Sequence, residues 1–473
     1  MSGNLMFQKI EEKREDLIQL ARNIWENPEQ GYYEFVASDA CAELLEREGF
    51  EVQRDYAGLP TAIRAQYGSG KPVIGLLGEF DALPGLSQKD VCHKEPVVEN
   101  GWGHGCGHSL MCSANIGALL GLRDEMKAGN IPGTVVFYAC PAEETIGGKG
   151  AMASQGAFDD LDIALCWHPG KYNRSSYSSL TGSNSQIFKF HGISAHAACD
   201  PHLGRSALDA VELMDVGANY LREHVPTDVR IHYCITNGGS APNVVPDFAS
   251  VKYTFRAMSI TAMMDVEKRL HNIAKGAALM TDTQVEVERK GGCYPVINNH
   301  VVADVVDASM REIEMEPWSE ADIEYARKLN ETVPDQWAAC VALSESEPDT
   351  QLHVGVMPID EENDYGSSDI GDVSHICPSC FYKGACFPIG ASYHSWQVAA
   401  VTGMDIGFKS MINGARMTAL TVYKFLTEPE LVAAAKAEFK RSMAGKTYET
   451  MLPDKVWFPP RPGKETETET EKP

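Results

Sequence analysis

The sequence predicts an α/β protein in which a mainly parallel sheet flanked by helices is interrupted by a smaller, ferredoxin-like α+β domain. Three observations support this fold class. Short apolar runs alternate with helical patterns over the first 185 residues, a β-α-β-β-α-β order follows, and an α/β pattern resumes near residue 299. At 473 residues the chain is also longer than one ordinary core accommodates. We therefore expect two domains, one of them discontinuous.

Residues 1–185 are predicted to form the first part of the parallel-sheet domain. Apolar residues at helical spacing indicate helices, and short apolar runs rich in β-branched residues indicate strands. The expected elements are helices 7–26, 35–48 and 109–126 and strands 62–67, 72–77, 134–139 and 161–167. Ser109 is expected to cap the third helix. Because ligands bind beyond the carboxyl ends of parallel strands, polar residues that follow these strands are candidates for function.

Residues 186–295 are predicted to form the smaller domain. Its expected elements are strands 186–192, 229–235, 248–255 and 284–289 and helices 206–223 and 262–278. Residues 296–456 are assigned to the second part of the parallel-sheet domain, which ends with a helix around 411–425. Within it, the polar and acidic residues 315–368 are expected to form a surface excursion. The low-complexity acidic tail, residues 457–473, is expected to be disordered.

Composition restricts the class of protein. The apolar fraction of 44% and the charged fraction of 23% are typical of a soluble globular protein. A formal net charge of −25, from 41 basic and 66 acidic residues, argues against nucleic acid or an anionic membrane as the main partner. The sequence starts without an apolar signal segment and has no apolar run of bilayer length, so a cytoplasmic location is expected. The 13 cysteines are expected to be reduced and mostly buried.

A glycine-rich stretch, Gly103-His104-Gly105-Cys106-Gly107-His108, offers two metal donors within a few residues. Thiolate and neutral imidazole are preferred ligands of zinc and its neighbours in the periodic table. The glycines let the backbone fold tightly enough for both side chains to face one point. By itself the stretch only suggests a metal site.

Further donors follow later strands. Glu143 and Glu144 come directly after the strand at 134–139, where one carboxylate can bind metal while the other faces substrate. A solvated pair is the ordinary alternative. His168 follows another apolar run, and His394 follows the run 381–389. Either histidine alone could be a core residue. Together with Cys106, His108 and Glu144 they make five donors, enough for two ions about 3.5–4 Å apart with Cys106 as the candidate bridge.

With this donor set the chain resembles the aminoacylase/carboxypeptidase family of dinuclear metallohydrolases, in the amidohydrolase branch whose motif His-x-Cys-Gly-His includes a cysteine ligand. The stretches that carry the resemblance are residues 101–110, 167–169, 201–210, 242–245, 276–281 and 369–374. The resemblance implies a catalytic domain interrupted by a lid that also forms a dimer. It implies that Cys106, His108, Glu144, His168 and His394 bind metal.

The same resemblance implies the remaining site residues. Glu143 corresponds to the general base, and Asp81 to an aspartate that supports a ligand. His196 corresponds to a lid histidine that reaches the partner subunit's active site and stabilises the oxyanion. Asn243 and Arg256 correspond to positions that hold the substrate carboxylate, and a guanidinium suits that task because it binds a carboxylate bidentately. His104 has no ligand role in this assignment.

The implied reaction is hydrolysis of an amide to the α-nitrogen of an amino acid, with glutamate favoured. The expected substrate is p-aminobenzoyl-glutamate, a folate breakdown product, and the expected metal is manganese, with zinc as the alternative that a thiolate ligand favours. The implied partner is a second copy, in a homodimer, or a homologous but distinct chain, in a hetero-oligomer. Two other hypotheses stay open: an amidohydrolase of another N-acyl or N-aroyl amino acid, and a metal-binding protein that is active only with its homologous partner.

Overall fold

The structure, a computed structural model, describes residues 4–344, 346–453, 456 and 458–461. It is an α/β protein with one six-stranded sheet and one four-stranded sheet, each with its own hydrophobic core. The predicted fold class is confirmed. All 13 cysteines are free, as expected.

The six-stranded sheet is largely parallel. Its strands are β1 (Glu51–Arg54), β2 (Ile63–Ser69), β3 (Val73–Gly78), β4 (Gly133–Ala139), β5 (Ile163–Gly170) and β10 (Ser379–Ala385). The strand order is β1-β2-β4-β3-β5-β10. Strands β3, β4, β5 and β10 run parallel, whereas β1 and β2 form an antiparallel edge. The carboxyl ends of the four parallel strands therefore lie along one edge of the sheet.

Twelve of the described helices flank this sheet or its connections. They are α1 (Asn4–Glu12), α2 (Arg14–Glu26), α3 (Phe35–Arg47), α4 (Met111–Lys127), α5 (Gly148–Ser154), α8 (His300–Glu312), α9 (Glu320–Asn330), α10 (Pro334–Leu343), α11 (Ile370–Ser374), α12 (Trp396–Val401), α13 (Asp405–Thr427) and α14 (Pro429–Met443). Helix α4 is buried on almost every side because it packs between the sheet and the helices α1 and α13. Its burial fixes the chain segment that precedes it, which carries Cys106 and His108.

The four-stranded sheet is antiparallel and follows the predicted β-α-β-β-α-β order. Its strands are β6 (Gly182–His191), β7 (Arg230–Asn237), β8 (Phe248–Ala257) and β9 (Gln284–Cys293), and its helices are α6 (Ala207–Leu221) and α7 (Ile260–Thr281). The strand order is β7-β8-β6-β9. Apolar residues alternate along β6 and β8 because one face packs on the two helices and the other does not. The predicted domain boundaries at 185/186 and 295/296 stay predictions.

Some predictions about local structure are wrong. Ser109 does not cap a helix: it lies in a 3₁₀ turn, His108–Leu110, and its buried Oγ has no partner among the described residues. The segment 315–368 is more than a surface excursion, since it contains α9 and α10 and buries Leu329 and Asn330. Helix α14 was not predicted.

The predicted disordered tail is also partly wrong. Within residues 457–473, Phe458 packs edge-on against Tyr32 with ring centroids 5.2 Å apart. Arg461 pairs with Asp39 at 2.6 Å and with Asp55 at 3.1 Å. Residue 457 and residues 462–473 lie outside the part of the chain that the structure describes.

The structure also bears on membrane association. Of the helices in the described ranges, none combines the length and the apolar character needed to span a bilayer.

Candidate metal centre

The loop that carries Cys106 and His108 is folded by close backbone approaches. A Cβ on Gly103 would lie 1.9 Å from the carbonyl oxygen of Leu86, so only glycine fits there. Gly107 adopts φ of +91°, a left-handed conformation that a side chain disfavours. The sharp turn at Gly107 lets the thiol and the imidazole face the same space, as the sequence predicted.

The first donor group consists of Cys106, His108 and His168, whose donor atoms all lie within 4.8 Å of one another. Cys106 Sγ is 3.6 Å from His168 Nε2, and the two imidazole rings lie edge to face with centroids 5.4 Å apart. His168 is buried and lies inside β5, which continues past its predicted end at residue 167 to Gly170. Its Nδ1 is 2.7 Å from the carbonyl oxygen of Pro169. Because a carbonyl oxygen only accepts, Nδ1 carries the proton and Nε2 is left with its lone pair.

Asp81 holds both His108 and Glu144 in position. It follows β3 and is buried, with Oδ1 3.0 Å from His108 Nδ1. The carboxylate accepts a hydrogen bond from Nδ1–H, so His108 Nε2 is the free donor atom, an arrangement that fixes metal-binding histidines. Asp81 Oδ2 accepts the backbone N–H of Glu144 at 2.8 Å. One side chain therefore links the Cys106–His108 loop to the turn after β4.

The turn after β4 carries Glu143 and Glu144 on strained backbone. Ala142 and Ile146, on either side of the pair, both have φ of +57°. Buried Glu34 stabilises this conformation by accepting the backbone N–H of Ala142 at 2.7 Å. Strain of this kind persists where the surroundings hold the backbone in place, and it directs the two adjacent carboxylates to different positions.

The second donor group consists of Cys106, Glu144 and His394, again with donor atoms within 4.8 Å of one another. His394 Nε2 is 3.5 Å from Glu144 Oε2. His394 has φ of +59°, and its backbone N–H donates to the carbonyl oxygen of Gly105 at 2.8 Å. The five predicted donors are thus brought together in two groups that share Cys106.

The chemistry of this donor set fits divalent metal ions. His108 Nε2 and Glu144 Oε1 are buried yet have no hydrogen-bond partner among the described residues. Buried polar atoms are normally paired, so these two unpaired atoms, one in each Cys106 group, fit the binding of a cation in each group. Thiolate, imidazole and carboxylate together match the preferences of zinc and its neighbours.

Burial changes the proton affinity of the carboxylates. It raises the pKa of Glu144 to about 7, against the opposing charge of His108. Burial, reinforced by the charges of Glu79 and Glu144, raises the pKa of Glu143 well above the usual carboxyl range. Glu143 lies outside both Cys106 groups, but it forms a third group with Glu79 and His108 whose donor atoms are within 4.8 Å of one another. A carboxylate with raised proton affinity beside a metal site is suited to general-base chemistry.

A buried ion cluster beneath the site was missed from the sequence. Lys149 Nζ lies 2.5 Å from Glu79 Oε1 and 2.5 Å from Asp369 Oδ1, and all three side chains are almost completely buried. Glu79 Oε2 is 3.2 Å from His108 Nε2. The available signal was the position of Glu79 directly after β3, two residues before Asp81.

The three site residues predicted on the smaller domain make their contacts with residues outside these donor groups. The exposed His196 accepts the backbone N–H groups of Ala198 and Cys199 through Nδ1. The backbone carbonyl oxygen of exposed Asn243 accepts the N–H of Ala197 at 3.0 Å, and Arg256 on β8 donates to Ser367 Oγ at 3.0 Å. The structure therefore does not bring His196, Asn243 and Arg256 together with the metal donors within this chain.

His104, from the same glycine-rich stretch, contacts a different part of the chain. It is buried, and its Nε2 donates to the carbonyl oxygen of Ile24 at 3.0 Å. Burial lowers its pKa to about 4. It supports the loop rather than facing the donor groups.

The chain is similar in sequence and in fold to known peptidases and amide hydrolases. The model of peptidase family M20/M25/M40 matches residues 75–327. The chain is 35% identical over 468 residues to the B subunit of p-aminobenzoyl-glutamate hydrolase from Escherichia coli (strain K12), covering 94% of this chain and 96% of that protein. It is 29% identical over 450 residues to a Xaa-Arg dipeptidase of Mus musculus, covering 92% and 91%. In fold it resembles a Bacillus subtilis dinuclear metal binding peptidase of family M20, with a TM-score of 0.58 at 18% identity over 88% of this chain and 99% of that one.

Proposed function

The chain belongs to peptidase family M20/M25/M40 and is a metal-dependent amidohydrolase, and from this premise we propose that it hydrolyses p-aminobenzoyl-glutamate to p-aminobenzoate and glutamate. The observation that carries the reaction type is the pair of donor groups sharing Cys106, with the buried carboxylate of Glu143 beside them. The substrate follows from the relative that is 35% identical over almost the whole chain.

Two divalent ions are part of this proposal. Cys106, His108 and His168 would hold one, and Cys106, Glu144 and His394 would hold the other, with the thiolate shared. When bound, divalent ions polarise the substrate carbonyl and make water a better nucleophile at neutral pH. We assign manganese as the metal, while thiolate and imidazole ligands make zinc the alternative.

Glu143 is the proposed proton carrier. It takes a proton from the attacking water and delivers it to the leaving amine nitrogen, so that the same group acts first as base and then as acid. Burial and the nearby charges of Glu79 and Glu144 raise its pKa, so it holds the proton firmly between the two transfers. Asp81 takes no part in the proton transfer. It holds His108 and Glu144 in position.

The smaller domain, residues 186–295, is proposed to act as a lid and a dimerisation domain. His196 of a second copy would stabilise the oxyanion that forms on the carbonyl oxygen, which suits its exposed position in this chain. Arg256 and Asn243 would bind the α-carboxylate of the substrate when the lid closes, the guanidinium doing so bidentately.

The test is turnover by the purified chain after reconstitution with manganese or with zinc. We expect p-aminobenzoyl-glutamate to be hydrolysed with a higher kcat/KM than hippurate, N-acetyl-glutamate, indoleacetyl-aspartate or a Xaa-Arg dipeptide. Markedly faster hydrolysis of one of the other amides would replace the proposed substrate with that one. The Xaa-Arg dipeptide is included because of the 29% identical relative.

A partner-dependent function is the second candidate, because the E. coli relative is named as one subunit of its enzyme. No turnover of any amide by the metal-loaded chain alone, followed by turnover once a homologous partner chain is added, would favour it. Turnover by the chain alone would rule it out.

A further inference from the structure

Lys383 stands out as a charge in an otherwise apolar strand beside the candidate metal centre. It lies on β10 in register with His168 on the neighbouring parallel strand β5. Residues paired in register on adjacent strands project from the same face of the sheet. The Lys383 side chain runs across Gly170: its Cβ and Cδ are 3.1 and 3.4 Å from the point that a Cβ on Gly170 would occupy.

The ammonium group of Lys383 lies next to residues that flank the donor groups. Its Nζ is 5.7 Å from the centroid of the Tyr393 ring. The Tyr393 ring in turn is 5.7 Å from the His168 ring, and Tyr393 directly precedes His394. Its hydroxyl donates to the carbonyl oxygen of Pro169 at 3.0 Å, which fixes the ring that supports the ammonium. The charge therefore lies beside a ring that contacts His168 and directly precedes His394.

Asp360 and Asp364 line the same small cavity as Lys383, but among the described residues no carboxylate lies within 4.0 Å of its Nζ. Two other cations near this edge of the sheet have carboxylate partners. Arg174 pairs with Asp360 at 3.2 Å, and Lys149 is buried between two carboxylates. Lys383 is half-buried, so it has lost part of its hydration without gaining an ion pair. Burying a charge without a partner is costly, and an anionic ligand is the group that would offset the cost.

We propose that Lys383 determines substrate specificity by binding the side-chain carboxylate of the substrate, so that the enzyme selects amides of acidic amino acids. This inference rests on the proposed function. It is separate from the proposed role of Arg256 and Asn243, which concerns the α-carboxylate. The γ-carboxylate carbon of a glutamyl amide lies about 5 Å from the amide nitrogen, which is how far this carboxylate extends beyond the bond to be cleaved. In a chain with a net charge of −25, a local cation is needed to attract an acidic ligand.

The experiment compares p-aminobenzoyl-glutamate with p-aminobenzoyl-glutamine, which has the same shape but a neutral side chain. A charge-assisted hydrogen bond predicts that the wild-type enzyme prefers the glutamate amide by about 10- to 100-fold in kcat/KM. In Lys383→Met, which keeps the apolar stem, we expect this ratio to fall to about 1. The loss should appear mainly as a higher KM for the glutamate amide, with the glutamine amide unchanged.

Lys171→Met is the matched control. Lys171 is a half-buried lysine directly after β5, the strand that pairs with β10, and its Nζ contacts Cys340 Sγ at 3.3 Å. We expect this variant to keep the wild-type ratio. Charge reversal in Lys383→Glu should favour p-aminobenzoyl-arginine over p-aminobenzoyl-glutamate. Metal content and melting temperature are measured for each variant, so that loss of metal or of the fold is not taken for loss of specificity.

The outcomes separate the two proposals. An unchanged glutamate-to-glutamine ratio in Lys383→Met overturns this inference alone, and so does an equal loss on both substrates, which would indicate a structural role through Tyr393. If the wild-type enzyme hydrolyses only other N-acyl amino acids, the proposed substrate fails, and the same ratio is then measured with N-acetyl-glutamate and N-acetyl-glutamine. A wild-type enzyme that shows no preference within either pair overturns the inference.

Discussion

Asp81→Asn is the substitution that most directly tests how the site is held together. Asp81 Oδ1 accepts from His108 Nδ1 at 3.0 Å and Oδ2 accepts the N–H of Glu144 at 2.8 Å. Asparagine has the same shape but only one acceptor oxygen, so its NH₂ group must face one of these two donors. If the oxygen stays on Glu144, the NH₂ group faces His108 Nδ1, and Nδ1–H is left with the backbone carbonyl oxygen of residue 81, 3.2 Å away, as its acceptor. The imidazole regains a hydrogen bond to the side chain by moving its proton to Nε2, where it then presents a proton instead of a lone pair.

The expected magnitude follows from these contacts. Loss of a carboxylate behind a metal-binding histidine lowers metal affinity by about 10- to 100-fold. A buried donor left unsatisfied destabilises the fold by about 1–3 kcal/mol, so the metal-free variant should also melt at a lower temperature. Metal affinity is measured by competition with a chromogenic chelator, and stability by thermal unfolding of the metal-free protein.

Glu34→Gln serves as the matched control. Glu34, which directly precedes α3, is a second buried carboxyl group that holds the turn after β4: it accepts from Ala142 and from Thr61 and touches none of the proposed ligands. Burial raises its pKa to about 8, so the native group is already mostly protonated at pH 7 and glutamine resembles it. We expect wild-type metal affinity in this control. Wild-type affinity in Asp81→Asn would refute the idea that Asp81 sets the tautomer of His108.

Four further predictions concern other parts of the molecule. Glu143→Ala should keep both metal ions and lose nearly all turnover, whereas Cys106→Ala should lose metal. Metal analysis of both variants checks this prediction. Equal metal loss in the two variants would contradict the assignment of Glu143 as base and Cys106 as ligand. Glu34 stabilises the fold fully below about pH 4.5, the pKa of an ordinary glutamate, and this contribution is lost as pH rises through about 8. Glu34→Gln should therefore gain melting temperature relative to wild type at pH 8.5 but not at pH 5, and a constant difference across this range would oppose the assignment. Lys149→Met leaves two carboxylates buried without a counterion and should destabilise the protein by about 3–5 kcal/mol in urea unfolding; a change below about 1 kcal/mol would show that the cluster relaxes. In Lys383→Met the preference for the glutamate amide over the glutamine amide should disappear.

The sheet and the placement of its donors could be predicted because they follow from local patterns. Apolar runs mark β3, β4 and β5, and polar residues directly after parallel strands must meet at one edge of a sheet. Glu144 and His168 were found in this way, whereas the role of Asp81 came from the resemblance to the family. His394 was harder, since it lies 226 residues beyond His168, and only the agreement of the whole donor set pointed to it.

The buried ion cluster could not be predicted, because its members are far apart in sequence. Lys149 lies 70 residues from Glu79 and 220 residues from Asp369. A lysine within a short helix is ordinarily a solvated residue. Nothing in its local sequence shows that two carboxylates, delivered by other strands and loops, surround it.

Backbone strain was equally invisible in the sequence. Ala142 and His394 adopt positive φ although neither is a glycine, because contacts from distant segments hold them. For Ala142 the contact is Glu34, 108 residues away. For His394 it is the hydrogen bond to Gly105. Lys383 did leave a local signal, a single charge within the apolar residues of β10, which gains its meaning only from the register with His168.

The central claim is that this chain uses two metal ions, held by groups that share Cys106, to hydrolyse p-aminobenzoyl-glutamate. The most direct test is to titrate the metal-free protein with manganese while turnover of this substrate is followed. The account predicts that activity is low after one equivalent and reaches its maximum at two equivalents per chain. Maximal activity at one equivalent, or activity that persists in metal-free protein, would contradict it.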